Sequence, residues 1–392
     1  MHGVIGSRLG EGAARLAAFA SVVGFAVLIG WEAVVGATVL KNFSGVSPTA
    51  YFLLPVVLVF ISSLYTGSGG LRGNALINLA QNAIKIFALI FAAFVLLALV
   101  GTDALFESRA ATTGAYDAFM ALGGVALAAN LIFSLFWQVV DMSAWQNIAA
   151  TPGDSRRSAI GLSMASILFF PGIIGTVLGI ALSGVGTASS INDSNILNAL
   201  VEALQGAPWI GLAVVAAFAA SMLSTIDGYA LAASQASTWD LLFPKRVKAL
   251  LSLGPDRSPN QDDLAVLTTG RVFVLFVAMA GAIGVLQLVL NVGVSLFDLV
   301  YAVVVAQMSL VGPVMLCLLR PRGVVIRMGY LPIFLSLLAG GGCVLARFWG
   351  HDQFYIWAPV ITVGTSLVLT WVVSRIEAAR TGDVVLEGAG ES

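Results

Sequence analysis

The sequence predicts an all-α polytopic membrane protein of about ten transmembrane helices. Composition is the first ground: of 392 residues, 59% are hydrophobic and only 10% charged, and mean hydropathy is +0.97. A water-soluble domain of this size would precipitate with so little polar surface. Segment length is the second, because ten apolar stretches are each long enough to cross roughly 30 Å of hydrocarbon. The third is the placement of Lys and Arg, which alternates from one connection to the next as spanning helices require.

In chain order the predicted spans are 14–40, 49–66, 75–100, 117–140, 159–183, 208–235, 268–290, 295–319, 329–348 and 355–374. The first follows Arg8, Glu11 and Arg15 and is far longer than the apolar region of a secretory signal. Tyr65-Thr66-Gly67-Ser68-Gly69-Gly70-Leu71-Arg72 joins the second and third spans. No strand precedes it and no Gly-Lys-Ser/Thr follows, so it reads as a tight membrane-edge hairpin and not a phosphate cradle. The largest interruptions, 101–116, 184–207 and 236–267, leave no room for a soluble domain. Residues 1–375 form one transmembrane domain in this reading, followed by a short polar tail, 376–392.

With the N-terminus in the cytoplasm, fifteen of the nineteen Lys and Arg residues fall on the inner side. Lys41, Arg109 and Arg347 fall outside and Lys85 within a span. The opposite orientation would break the positive-inside bias almost everywhere. Both termini are therefore expected in the cytoplasm, and the protein in the cytoplasmic (plasma) membrane. A net charge of −1 offers no basic face for nucleic acid; the expected partner is the lipid bilayer.

Polar groups within a span cost about 2.5–3.5 kcal/mol each on insertion scales and face a protein interior or a water-filled path. Here they are Glu32, Lys85, Asp141, Asp227 and Asp298, with Asn130, Gln138, Gln146, Gln287 and Gln307. Lys85 is deep enough to need a partner such as Glu32, and Asp298 reads as interfacial. No HExxH, paired carboxylates or GxSxG occurs, so an enzyme is not expected. Cys317 and Cys343 read as small apolar residues, and His2 and His351 lie outside the predicted spans, so neither pair suggests a metal site or other cofactor.

Two stretches gather the chemistry. In Trp209–Ala236, Ser221, Ser224, Thr225 and Gly228 recur at i, i+3, i+4, i+7 and make one narrow helical stripe of oxygen and absent side chain. Such a stripe can hold a small cation, with Asp227 beside it; the alternative is back-bonding of the hydroxyls to carbonyls one turn earlier. In Asn130–Ala150, Trp137, Asp141 and Trp145 recur at i, i+4, i+8, placing two indoles around a carboxylate. Trp145 reads as an interfacial anchor, Trp137 as either a substrate-facing or a packing aromatic, and Asp141 as part of a polar network or gate.

Leu223-Ser224-Thr225-Ile226-Asp227-Gly228-Tyr229-Ala230-Leu231-Ala232-Ala233-Ser234, ending in Thr238-Trp239-Asp240, resembles the M-S-T-x-D-S-x-L-x-A-A-S…T-R-D signature of the sodium/solute symporter family. Tyr65–Gln81 resembles that family's Y-T-x-x-G-G-L segment, and Asp141–Ala150 is similar to the D-Q-x-Y-W-Q-R pattern of its urea and polyol branch. The three matches stand in family order. The resemblance implies a leucine-transporter-type inverted-repeat fold with ion and substrate sites near the midplane. It implies cation-coupled symport of a small organic solute, urea-, polyol- or amino-acid-like, with sodium as coupling ion and a proton as the alternative. Ser221 would then supply a carbonyl and Ser224 and Thr225 hydroxyls to the ion, with Asp227 adjacent; Trp137, Asp141 and Gln307 are the candidate substrate or gating residues.

Departures qualify the resemblance. Ile77-Asn78 stands where the family has Thr-Asp, removing a carboxylate linked with a further ion site. No lysine occurs in 159–183 to match one that contacts sugar, and Asn147 replaces an arginine. Arg8-Leu9-Gly10 resembles the R-F-G opening of the third core helix. The resemblance thus implies a partial fold, truncated before the broken first core helix that completes the ion site, and a chain incomplete and inactive alone. The competing expectation is a degenerate, non-transporting scaffold or sensor derived from a symporter.

Overall fold

Inside a bilayer the backbone must satisfy its own N–H and C=O groups, which restricts spanning segments to helices or closed barrels. The computed structural model of the chain describes residues 1–44, 48–100, 132, 135–137, 139–150, 153–155, 208–245, 261–292, 294, 296–319, 326 and 328–380, and these are almost wholly helical. The helices are α1 (His2–Leu9), α2 (Glu11–Ser44), α3 (Pro48–Val100), α4 (Met142–Ala150), α5 (Pro208–Gln235), α6 (Gln261–Gln287), α7 (Leu296–Met308), α8 (Val311–Leu319), α9 (Tyr330–Ala346) and α10 (Asp352–Arg380). Five stretches among the described residues are long and apolar enough to cross a membrane. The outer surface is apolar as well: Phe87 is 73% and Leu79 70% exposed, as lipid-facing side chains are. The chain is a multi-pass membrane protein. The predicted span 159–183, most of 117–140 and the tail beyond Arg380 lie outside the described residues.

Two predicted spans fall within α3, and the junction explains how. At 1.5 Å per residue, an uninterrupted helix of 53 residues would be about 80 Å long, far more than a bilayer. Gly70, at φ 57° and ψ −159°, adopts a conformation essentially confined to glycine, and there the chain doubles back. Gln81 Nε2 consequently reaches the Tyr65 hydroxyl at 3.3 Å, so α3 is the hairpin expected from the glycine-rich turn.

α2 lies at the centre. Ile29 and Ala33 pack with Val59 of α3, Met222, Ile226 and Ala230 of α5, and Val274, Ala278 and Ala282 of α6. α2 and α6 cross where neither has a side chain: a Cβ at Gly30 would lie 2.3 Å from the Gly281 carbonyl oxygen, and one at Gly281 would lie 2.0 Å from that of Ala26. Small residues let backbones approach in membranes, where lipid leaves no solvent-driven force between helices. Toward its N-terminal end, Ala13 and Ala17 join Ile5 and Leu9 of α1 in a second core with Val304, Met308 and Val311.

The predicted span 295–319 is split into α7 and α8 at Ser309-Leu310. Pro313 has no N–H to return to the Ser309 carbonyl. Instead the Ser366 hydroxyl of α10 donates to that carbonyl at 2.7 Å, while the Gly312 amide donates to the same hydroxyl oxygen at 2.9 Å. At the far end Asp298, expected to be merely interfacial, pairs with Arg347. Arg347 also lies over the Tyr355 ring at 4.7 Å, and Tyr355 stacks on Tyr301 at 4.3 Å.

The glycine crossing has a built-in control, because nothing lies within 4 Å of a Cβ at Gly284 on the same helix. Gly281→Ala is expected to destabilise the chain by about 1–3 kcal/mol through overpacking. Gly284→Ala should be neutral or stabilise by up to about 1 kcal/mol through helix propensity. Thermal unfolding in detergent, followed by tryptophan fluorescence, checks the opposite signs.

Candidate functional site

α5 divides into three faces. Met222, Ile226, Ala230 and Ala233 are buried against the core. Asp227, also fully buried, points at α3. Ser221, Ser224, Thr225 and Gly228 occupy the remaining face and stay partly accessible; nothing lies within 4 Å of a Cβ built at Gly228. The Thr225 hydroxyl donates to the Ser221 carbonyl at 3.0 Å, the back-bond that the sequence offered as an alternative to ligation. It nevertheless brings those two oxygens together. The Ser224 hydroxyl donates to Asn78 Oδ1 at 3.0 Å, so the position where the family pattern has a carboxylate contacts the stripe directly. Neutral hard oxygens in this arrangement suit a hard monovalent cation.

Among the described residues, Asp227 takes its hydrogen bonds from α3. Ser62 donates to Oδ1 and Tyr65 to Oδ2, and Thr66 donates to Oδ1 at 2.9 Å. Ser62, Tyr65 and Thr66 share one helical face at i, i+3, i+4, which is why a single carboxylate meets all three. Among the described residues no Lys or Arg side chain pairs with it. Asp227 is therefore a neighbour of the stripe, on a different face of the same helix.

Trp137, Asp141 and Trp145 stay linked by backbone bonds, from the Asp141 amide to the Trp137 carbonyl at 2.8 Å and from the Trp145 amide to the Asp141 carbonyl at 3.2 Å, but regular helix restarts after Asp141. In a continuous helix the Ser143 amide would bond the Val139 carbonyl. Here it donates to Asp141 Oδ1 at 2.9 Å, and the Ser143 hydroxyl donates to Oδ2 at 2.9 Å. Asp141 thus caps α4, and the Val139 carbonyl accepts instead from Trp145 Nε1 at 2.8 Å. The indole expected as an interfacial anchor closes a helix break. Trp137 packs between the two sides of the core, against residues that include Val303, Val304 and Met308.

Gln307, on α7, is fully buried. Neither its Nε2 nor its Oε1 has a hydrogen-bond partner, and no other described side chain leaves two such atoms buried and unpaired. It lies over the bare backbone of α2 at Gly24, where a Cβ would come within 2.7 Å of its Nε2. The structure gathers Trp137 and Gln307 around α7, and Ser221, Ser224, Thr225 and Asp227 on α5. Asp141 turns its oxygens back on α4. The Lys85 side chain, and so its expected pairing with Glu32, lies outside the described residues.

Sequence reasoning missed one polar cluster. His2, placed outside the spans, is wholly buried: its Nδ1 meets Asp240 Oδ2 at 2.7 Å and its Nε2 meets Ser21 Oγ at 3.0 Å. The connectivity imitates a hydrolase triad, yet Ser21 is 0% exposed, so no substrate carbonyl can reach it. The cluster ties α1 and α2 to the wide-turn segment Ala236–Leu242 after α5. Asp240 ends the Thr238-Trp239-Asp240 motif, which was the available signal.

The chain superposes on a solved structure of a Na+-coupled sialic acid symporter in its substrate-bound outward-open state, with a TM-score of 0.74 and 14% identity over 96% of this chain and 76% of that one. No family model and no curated protein sequence matches. At that identity the likeness establishes the fold alone: the chain shares the all-α fold of that structure.

A double-mutant cycle tests the α3–α5 contact. Tyr65→Phe leaves a buried carboxylate oxygen short of a donor and is expected to cost about 1–3 kcal/mol. In an Asp227→Leu background the same change should cost far less, since its partner is gone. Equal losses of thermal stability in both backgrounds would show that Tyr65 and Asp227 do not act together.

Proposed function

We propose that the chain is a secondary active transporter of the sodium/solute symporter family, coupling inward movement of sodium to that of a small organic solute, and not an enzyme. Its place is the cytoplasmic membrane, with both termini on the cytoplasmic side. One observation carries the reading: the Ser221, Ser224, Thr225 face of α5 remains accessible and rich in oxygen within a fold shared with a Na+-coupled symporter. The Ser221 carbonyl and the two hydroxyls ligate the ion, Asn78 Oδ1 is in reach through Ser224, and Asp227 contributes its field from the adjacent face. The solute binds beside Trp137 and Gln307, and the break that Asp141 makes lets α4 move relative to the segment before it. A degenerate scaffold is the weaker reading, because a side chain left buried with two unpaired polar atoms is costly without a use.

Sodium should stabilise the purified chain against thermal unfolding more than potassium or choline does, by RT ln(1 + [Na+]/Kd). Thr225→Ala, and Ser224→Ala to a similar degree, is expected to weaken the apparent sodium affinity at least tenfold, about 1.4 kcal/mol. An effect equal for all three cations, or untouched by both substitutions, would remove the basis of the proposal. Repeating the titration across pH separates sodium from proton coupling, since a proton-coupled chain would respond to pH and not to sodium.

A further inference from the structure

We infer that α1 is a strap across the cytoplasmic end of the helix bundle, swinging about Gly10 and latched shut by His2 on Asp240, and that it lifts to let ion and solute out on that side. The inference rests on the symporter reading and its orientation, and adds a moving part to it. Distances require the bend. In a continuous helix, residues eight apart are separated by about 12 Å along the axis and residues nineteen apart by about 28 Å. Yet a Cβ at Gly6 would come within 3.2 Å of the Ala14 Cβ, and His2 Nε2 meets Ser21 Oγ at 3.0 Å. α1 therefore folds back along α2. The turn falls on Gly10, at φ 86° and ψ 162°, a conformation essentially confined to glycine. The Gly10 amide still bonds the Gly6 carbonyl and the Ala14 amide the Gly10 carbonyl, each at 3.2 Å, so swinging α1 out needs new dihedrals at one residue, as a hinge does.

Only one face of the strap is docked. His2, Ile5 and Leu9 are buried while Gly3, Val4 and Ser7 are exposed, so α1 lies on the bundle and not within it. Its apolar side packs with Val311, Val314 and Cys317 of α8 and with Ile326. The Ile326 amide donates to the Arg8 carbonyl at 2.7 Å, and Cys317 Sγ lies 3.8 Å from the Val4 carbonyl oxygen. At the end away from Gly10 the contacts are polar: His2 bridges Ser21 of α2 and Asp240, 2.7 Å from its Nδ1, in the wide-turn segment after α5. Met1 packs there on the same two clusters that Trp137 joins, so the latched end is seated on the surroundings of a residue proposed to meet the solute. A glycine hinge at one end and a histidine–carboxylate latch at the other give α1 two positions, docked as here or extending the axis of α2.

The chain carries its own probes, because its two cysteines sit differently. Cys317 is buried under the strap, whereas Cys343 packs by Tyr355 and Ala358 of α10. Thiol modification follows exposure. Rates for both thiols with N-ethylmaleimide, read by mass spectrometry on the full chain in lipid nanodiscs, separate lifting of the strap from general loosening. Gly10→Ala adds no clash, since nothing lies within 4 Å of a Cβ there, but it disfavours the docked turn; His2→Leu removes the latch and keeps apolar bulk. We expect each substitution to speed Cys317 at least tenfold and to leave Cys343 at the wild-type rate. An ion that could leave before the solute arrives would dissipate the coupling, so sodium without solute should slow Cys317 in the wild type relative to potassium. The inference fails if both variants leave Cys317 at the wild-type rate, or if Cys317 and Cys343 accelerate together. It fails as well if sodium stabilises the wild type thermally but leaves its Cys317 rate unchanged, an outcome under which the symporter reading stands. Absence of any sodium effect, thermal or on Cys317, would remove both.

Discussion

The hydrogen bonds between Asp227 and the hydroxyls of Ser62, Tyr65 and Thr66 fix how α5 is rotated about its own axis, and the placement of the oxygen stripe follows from that. Successive residues on a helix turn by about 100°. With Asp227 as origin, Met222, Ile226, Ala230 and Ala233 fall on one side, centred about 100° away. Ser221, Ser224, Thr225 and Gly228 fall a similar angle away on the other. The apolar side is buried against α2 and α6. Once the carboxylate is committed to the first half of α3, the stripe is turned away from α2 and α6: Ser224 meets Asn78 in the second half of α3, and the stripe as a whole stays partly accessible. Loss of the carboxylate contact would free that rotation while leaving the hydroxyls chemically intact.

The same accounting of polar groups recurs wherever a helix departs from regularity. Pro313 frees the Ser309 carbonyl and the Ser366 hydroxyl from α10 takes it. The Asp141 cap frees the Val139 carbonyl and the Trp145 indole takes it. Ser234 donates to the Gly270 carbonyl across α5 and α6. A bilayer interior has no water to absorb an unpaired group, so each irregularity is accompanied by a side chain that repairs it. Among the described residues Trp31, Ser63, Asn74, Gln81, Gln146, Tyr355 and Thr370 each leave one buried polar atom unpaired, and Gln307 leaves two.

Features that depend on neighbours in sequence were legible in it. The glycine-rich turn between the second and third spans is the Gly70 reversal, and the i, i+3, i+4, i+7 spacing of Ser221, Ser224, Thr225 and Gly228 is the accessible face of α5. The split at Ser309 was available in principle, since Pro313 sits inside an apolar run and proline cannot donate to the residue four before it. Contacts between residues far apart in the chain were not available. His2 and Asp240 are separated by 238 positions, and no local pattern distinguishes a buried histidine from an exposed one when its partner is on another helix. For Asp298 the expectation of an interfacial site was silent about Arg347, which lies 49 residues on. The i, i+4 relation of Trp137, Asp141 and Trp145 is kept in the backbone, with the Asp141 amide on the Trp137 carbonyl and the Trp145 amide on the Asp141 carbonyl, but that spacing does not announce the cap that the Asp141 side chain makes on Ser143.

In the proposed transport cycle sodium and solute would influence one another only through atoms that connect their sites, and that connection would be short. Gly24, which makes room for the Gln307 amide, is followed by Phe25; Gly228, the last member of the oxygen stripe, is followed by Tyr229. Phe25 and Tyr229 stack with ring centroids 5.2 Å apart and planes within 16° of parallel. A shift of α5 as its oxygens close on a cation would move one ring of that stack, and a solute held at Gln307 against α2 would hold the other. Coupling between two bound species is reciprocal in free energy, so a pair of stacked rings, each next in sequence to a glycine of one proposed site, would carry it in either direction. Adjacency alone does not make coupling. What this arrangement supplies is a rigid contact between two helices, with a glycine beside each ring so that neither site is crowded by the contact that joins them.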